Sequence, residues 1–196
     1  DAQEIDIGEY LDNHTPLLYC TRLITKLFLL SGTPQTCLPD KLVRVSVKSL
    51  ALSCLSSTFL IYPSGFLANL DKHYSDCSKL TNKKICSQQI SDVLLFKCHN
   101  DPQLRGAVRN LTANFIKAVL ISSEGDYEKW ILDNVGAGRT VNFSIAELIK
   151  IFVEGLEDES ANCIRQTLLS LRSVLKNLSE SQKSALIIPL LNTLPL

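Results

Sequence analysis

Three histidines and seven cysteines are the residues best suited to chemistry in this 196-residue chain. His14, His73 and His99 stand in no recognisable catalytic context. Cys77, Cys86, Cys98 and His99 offer the thiolate and imidazole donors that zinc prefers, but their gaps of nine and twelve residues fit no common zinc pattern. Gly136-Ala137-Gly138-Arg139 has the glycines of a phosphate loop. It lacks the glycine–lysine ending, and no strand pattern precedes it, so a plain loop explains it better. Glu154, Glu157, Asp158 and Glu159 cluster at a helix junction. Paired-carboxylate catalysis needs two groups opposed across a cleft, whereas solvated capping needs only this placement. The single tryptophan, Trp130, reads as a core or inter-repeat anchor, with a partner contact as the alternative. The expectation is a chain without catalytic, cofactor or metal residues, hence not an enzyme.

Composition narrows the class further. Twenty acidic residues balance twenty basic ones and the pI is near 7.0, which offers nothing to a polyanion, so no nucleic-acid partner is expected. A hydrophobic fraction of 45% is that of a globular protein. The longest uncharged run, 49–70, is interrupted by Pro63-Ser64-Gly65 and carries many hydroxyl side chains, so no membrane span is expected. The odd cysteine count without a C-x-x-C pair points to reduced thiols in the cytoplasm, with the nucleus as a second compartment. Cys20, Cys54 and Cys98 lie among apolar residues, where cysteine acts as a small hydrophobe. Four glycosylation sequons, at Asn13, Asn110, Asn142 and Asn177, keep a secreted helical signalling protein open as an alternative. Asn110 falls within an expected helix, which favours chance occurrence. The absence of methionine and the start at Asp1 suggest a piece of a longer protein.

The elements that carry these residues are helices. Leu17, Cys20, Leu23, Ile24, Leu27 and Phe28 recur at three- and four-residue spacing and predict a helix over 15–30. Asp40 caps a second over 40–62, with Val43, Val47, Leu50, Cys54 and Phe59 inward. A polar loop fills 71–84. The next pair is 87–99, with Ile90, Val93, Leu94 and Cys98 inward, and 101–122, with Leu104, Val108, Leu111, Phe115, Ala118 and Val119 inward. Ser144 opens a third pair, burying Ile145, Leu148, Ile149, Phe152 and Leu156; its partner helix runs over 158–178. A seventh helix, 181–194, has no partner of its own.

The second helix of each pair opens on a similar phrase: Asp40-Lys-Leu-Val-Arg44, Asp101-Pro-Gln-Leu-Arg105 and, more weakly, Asp158-Glu-Ser-Ala-Asn162. Leucine follows ten positions after each aspartate, at Leu50, Leu111 and Leu168. An aspartate at a helix start satisfies free amides and the positive end of the dipole, typically worth ~1 kcal/mol. An arginine one turn on can reach the aspartate of its own or a neighbouring repeat. Asp40, Arg44, Asp101, Arg105 and Asp158 are therefore structural candidates: caps and the rungs of a ladder between units. The alternative is that each aspartate only caps and each arginine is only solvated. Repeated helix pairs predict an all-α fold, an α-solenoid of stacked HEAT-type pairs forming an armadillo-like superhelix, with 1–196 a single domain. The period of about 60 residues exceeds the ~40–47 of that class; the long loops account for the excess.

Specific phrases go beyond the class. Pro16-Leu-Leu-Tyr-Cys-Thr-Arg-Leu23, the twelve residues from Val43 to Cys54, Ser91-Asp-Val-Leu94, Asp101-Pro-Gln-Leu-Arg-Gly-Ala107 and Asp158-Glu-Ser160 fall in order. In these the chain resembles the amino-terminal HEAT block of the huntingtin family, and differences elsewhere point to an invertebrate member. The resemblance implies a large non-enzymatic scaffold with roles in vesicle and axonal, microtubule-based transport and in autophagy. It also implies partners for the full chain: a huntingtin-associated protein, the transport machinery and the flanking HEAT repeats. Periodicity alone leaves room for a HEAT-type scaffold subunit of another assembly. Neither reading assigns a protein-binding residue.

Overall fold

Three of the five helices among the described residues begin where the sequence supplies a side-chain acceptor for their free amides. The computed structural model describes Ile24 and residues 28–31, 38–39, 41–61, 93–122 and 144–194. Their helices are α1 (Val45–Ile61), α2 (Pro102–Ser122), α3 (Ile145–Leu156), α4 (Ala161–Val174) and α5 (Glu180–Asn192). Two 3₁₀ turns, Leu95–Cys98 and Leu175–Asn177, precede α2 and follow α4. One strand pair accompanies them: β1 (Leu30–Ser31) lies antiparallel to β2 (Leu38–Pro39). An all-helical chain anticipates no strand, but two residues on each side do not alter the helical class.

Capping explains three starts. Asp101 Oδ1 accepts the Gln103 amide at 2.8 Å, and Pro102 occupies the first turn of α2, where its missing N–H costs nothing. Ser144 accepts the Glu147 amide at the head of α3. Ser179 and Gln182 exchange hydrogen bonds in a capping box that opens α5.

Two expected starts are displaced. α1 begins at Val45, and the Arg44 carbonyl accepts the Val47 and Lys48 amides, so the helix opens five residues after Asp40, which lies outside the described residues. α4 begins at Ala161 with Ser160 at the N-cap position. Asp158 instead accepts the Ser160 amide from two residues back at 2.9 Å, a local turn before the helix rather than its cap.

Packing is ordered by sequence. α2 lies between α1 on one side and α4 on the other, while α3 packs against α2 and α4, and α5 packs on α3. A helix flanked on both sides must be apolar over most of its girth. Accordingly Leu104, Val108, Leu111, Phe115, Ala118 and Val119 are all buried, as their spacing predicts, and Ala113 and Ile116 join them. Ile145, Leu148, Ile149, Phe152 and Leu156 are buried along α3, also as expected. Each such side chain contributes about 1.5–3 kcal/mol when fully withdrawn from water.

α1 turns a different face inward from the one its spacing suggested. Lys48, Ala51, Leu52, Leu55, Ser56, Thr58 and Phe59 are buried, whereas Val47, Leu50 and Cys54 are exposed. Valine and leucine occur all round this helix, so hydrophobicity alone selects no face. The leucine ten residues after each aspartate is likewise no shared core position: Leu111 is 1% exposed, Leu50 66% and Leu168 37%. In the helix before α2, Val93 is buried, but the 3₁₀ turn carries Phe96 into the core and leaves Cys98 outside. The expected helix over 15–30 (Ile24 and 28–30 apart), the loops 71–84 and 123–143, Ile90, Trp130 and Gly136–Arg139 lie outside the described residues.

Candidate functional site

Two side chains of the repeated phrase, Arg105 and Asp158, meet at the junction of α2, α3 and α4. Arg105, one turn into α2, projects toward the segment joining α3 to α4. Its Nε donates to Asp158 Oδ2 and its Nη2 to Asp158 Oδ1, both at 2.7 Å. Its Nη1 donates to the carbonyls of His99 and Asn100, both at 2.9 Å. One guanidinium thus fastens the turn before its own helix and the carboxylate of the next unit, using the planar fork that lysine lacks. The side chains are 19% and 6% exposed, so water competes weakly for either.

Electrostatics follow from that contact. The Arg105 hydrogen bonds hold the Asp158 carboxyl well below the usual carboxylate range, with the Ser160 amide assisting against burial. Arg105 is pushed above its ordinary value, mainly by the same hydrogen bonds. Beneath the pair, burial first and the adjacent carboxylate second push the Cys163 thiol up, so it remains a protonated, buried thiol. The Asp101 amide donates to His99 Nδ1 at 3.0 Å, while the His99 ring stacks on Phe96 with centroids 5.8 Å apart. Burial first, then the Lys48 charge, lowers the His99 pKa.

The phrase extends one turn further than its opening residues reveal. Lys48 and Arg109, each four residues after the arginine of the phrase, are both buried. Arg109 donates through Nη1 to the Arg105 carbonyl at 2.6 Å, and burial lowers its pKa. It lies against α3 where that helix has no side chain: a Cβ at Gly155 would sit 2.7 Å from Arg109 Nε and also strike Thr167 Oγ1. A glycine late in α3 therefore admits the buried guanidinium. The recurrence of a basic residue eight positions after Asp40 and Asp101 was the available signal for it.

The α1–α2 joint is built differently. Ser56 Oγ donates to Asn110 Oδ1 at 2.7 Å, Asn114 Nδ2 donates to Ser56 Oγ at 2.8 Å, and Phe59 meets Phe115 edge-on at 5.5 Å. Arg44 is exposed, and no ion pair joins it to Asp101, so the rung between Arg105 and Asp158 has no counterpart there. Serine and asparagine, which lack an evident helical period, gave no sign of this joint in advance. A second link between units is the ion pair of Lys97 with Glu154 at 2.9 Å.

Arg105 and Asp158 hold each other, whereas Arg109 keeps a buried Nε without a hydrogen-bond partner. Among the described residues no three His, Cys, Asp or Glu side chains are placed to hold a metal ion, and Cys77 and Cys86 lie outside them. No helix among the described residues is long and apolar enough to cross a membrane. Cys54, Cys98 and Cys163 are free thiols.

Comparison with known proteins agrees with the repeated phrase. The family model described as huntingtin, N-terminal HEAT, matches residues 96–196. Huntingtin from Takifugu rubripes is 34% identical over 181 residues, 92% of this chain but 6% of its own length. No solved structure matches significantly. The chain is a member of the huntingtin family and corresponds to part of its N-terminal HEAT region.

Proposed function

We propose that this chain is a non-enzymatic protein-binding scaffold, one stretch of a HEAT α-solenoid in which helix pairs 15–62, 87–122 and 144–178 and the further helix 181–194 stack as a single domain. One observation carries this reading: α2 is held between α1 and α4, the second helices of successive pairs. The Arg105–Asp158 clamp acts as a rung between the second and third units. Asp101 caps its helix, and Asp40 and Arg44 occupy the matching positions in the first unit. Stacking of this kind leaves a long surface for gripping other proteins and requires no cofactor.

Membership of the huntingtin family supports roles in vesicle and microtubule-based transport and in autophagy, in the cytoplasm. Because the chain spans about 6% of its curated relative, the huntingtin-associated protein and the transport machinery are proposed as partners of the whole protein. Affinity capture from cell extract, with this chain and a longer huntingtin side by side, tests the reading. The chain is expected to recover a subset of the proteins bound by the longer bait. Recovery of nothing above a control protein would refute it.

A further inference from the structure

The chain is neutral overall, but its charges are not evenly distributed among the helices. α1, α2 and α4, of 17, 21 and 14 residues, contain no aspartate or glutamate and six lysines or arginines. The 3₁₀ turn after α4 adds Lys176 and again no acid. α3 and α5 carry Glu147, Glu154 and Glu180 beside Lys150 and Lys183. The helices that lie side by side are thus free of acid, and the acids of α3 and α5 belong to the other layer.

Three of the six cations are already engaged: Lys48 and Arg109 are buried, and Arg105 holds Asp158. Lys117, Arg165 and Arg172 retain exposure. On α2, Gln103, Asn110 and Lys117 follow at seven-residue intervals and form one solvent-facing stripe. Ser49 of α1 borders it, since its hydroxyl accepts the Gln103 side-chain amide at 3.2 Å. On the other side α4 approaches closely, for a Cβ at Gly106 would lie 2.9 Å from Gln166 Cβ. Arg165 and Arg172 share one exposed stripe of α4, with Leu168 and Leu169 between them. Leu50 and Ile121 add apolar points on α1 and α2.

We infer that the exposed side of the α1–α2–α4 layer is a docking surface for an acidic peptide segment of a partner protein, one carrying several carboxylates interspersed with apolar residues. The argument is charge complementarity: the helices of the layer carry no carboxylate, the nearest acids being Asp101 before α2 and Glu157, Asp158 and Glu159 before α4. Along their length the exposed cations can therefore pair with incoming carboxylates while the scattered leucines receive apolar side chains between. Nucleic acid fits less well, because three or four cations in a neutral chain fall short of the dense basic stripe that phosphate backbones require. This inference rests on the scaffold reading and narrows its partner class.

The test is fluorescence anisotropy with the 196-residue chain and three labelled probes at low salt. These are a twenty-residue peptide of glutamate and leucine, the same peptide with lysine for glutamate, and a single-stranded oligonucleotide. The acidic peptide is expected to bind and the basic one not. Reversing Lys117, Arg165 and Arg172 together to glutamate is expected to weaken binding at least tenfold with unchanged thermal unfolding. Reversing Lys150 and Lys183 in the other layer is expected to leave it within twofold. Equal loss from both sets, binding of the basic peptide, or preference for the oligonucleotide would overturn the inference. A native partner that binds the triple variant as tightly as the parent would overturn it too, while leaving the scaffold reading intact.

Discussion

Replacing Asp158 by alanine removes the carboxylate that Arg105 grips with two hydrogen bonds of 2.7 Å across the joint between successive units. The guanidinium keeps its two carbonyl partners, His99 and Asn100, so it is not wholly orphaned. Charge-assisted hydrogen bonds contribute about 1.5–3 kcal/mol each, and breaking a buried pair from one side costs about 3–5 kcal/mol. The modest exposure of both side chains and those remaining carbonyl bonds place the Asp158→Ala loss near 2–3 kcal/mol by the same reckoning. Arg105→Ala leaves the carboxylate only the Ser160 amide and the Cys163 thiol and also frees two carbonyls, so its loss should be larger, about 3–4 kcal/mol. The double variant removes an interaction already lost in either single one, leaving a coupling energy of about 2 kcal/mol. Urea unfolding of the four proteins, followed by circular dichroism, gives these values directly. Losses that add to within about 0.5 kcal/mol would show that the two side chains do not cooperate and would refute the clamp.

Other consequences are simpler. Leu111→Ala should cost about 2–5 kcal/mol, whereas Leu50→Ala, on an exposed surface, should stay within about 0.5 kcal/mol; denaturant midpoints distinguish them. Gly155→Ala forces a methyl against Arg109 and Thr167 and should destabilise by about 1–3 kcal/mol, measured the same way. Because the folded state lowers the His99 pKa, the unfolded chain binds that proton more readily. The stability so gained is present above about pH 6.5 and is lost as pH falls toward the lowered folded value; His99→Asn should flatten the slope of unfolding free energy over that range. Asp158, lowered as well, adds stability present above about pH 4 and lost as pH drops further, and Asp158→Asn should remove that component. Under native conditions a maleimide should label Cys54 and Cys98 quickly and spare Cys163, which mass spectrometry of digested protein resolves.

Much of the fold was legible because α2 and α3 obey simple rules. Asp101-Pro102 and Ser144 mark their starts, and their apolar spacing names the buried side chains. α1 resisted the same treatment because apolar residues surround it, so its inward face is set by neighbours distant in sequence, such as Asn110, Asn114 and Phe115. The helix before α2 tightened into a 3₁₀ turn, a change of pitch that moves Phe96 inward and Cys98 outward without a local signal. Of the candidate site, the repeated Asp and Arg were visible as types, but their partners were not. Only geometry distinguishes Arg105, which reaches Asp158, from Arg44, which stays exposed. The buried Lys48 and Arg109 were hidden for a further reason: a basic residue on a helix ordinarily signals its wet side.

The distance between α1 and α4 tests the stacking order most directly. Ser53 on α1 and Arg165 on α4 sit at a similar height, judged from the Ser49–Gln103 and Ser56–Asn110 contacts and the Gly106–Gln166 approach. Spin labels at those positions, read by pulsed electron resonance, should report helices two packing spacings apart, about 20 Å before allowance for the label arms. A separation near a single spacing, about 10 Å, would mean that the helices close into a bundle and would contradict the account.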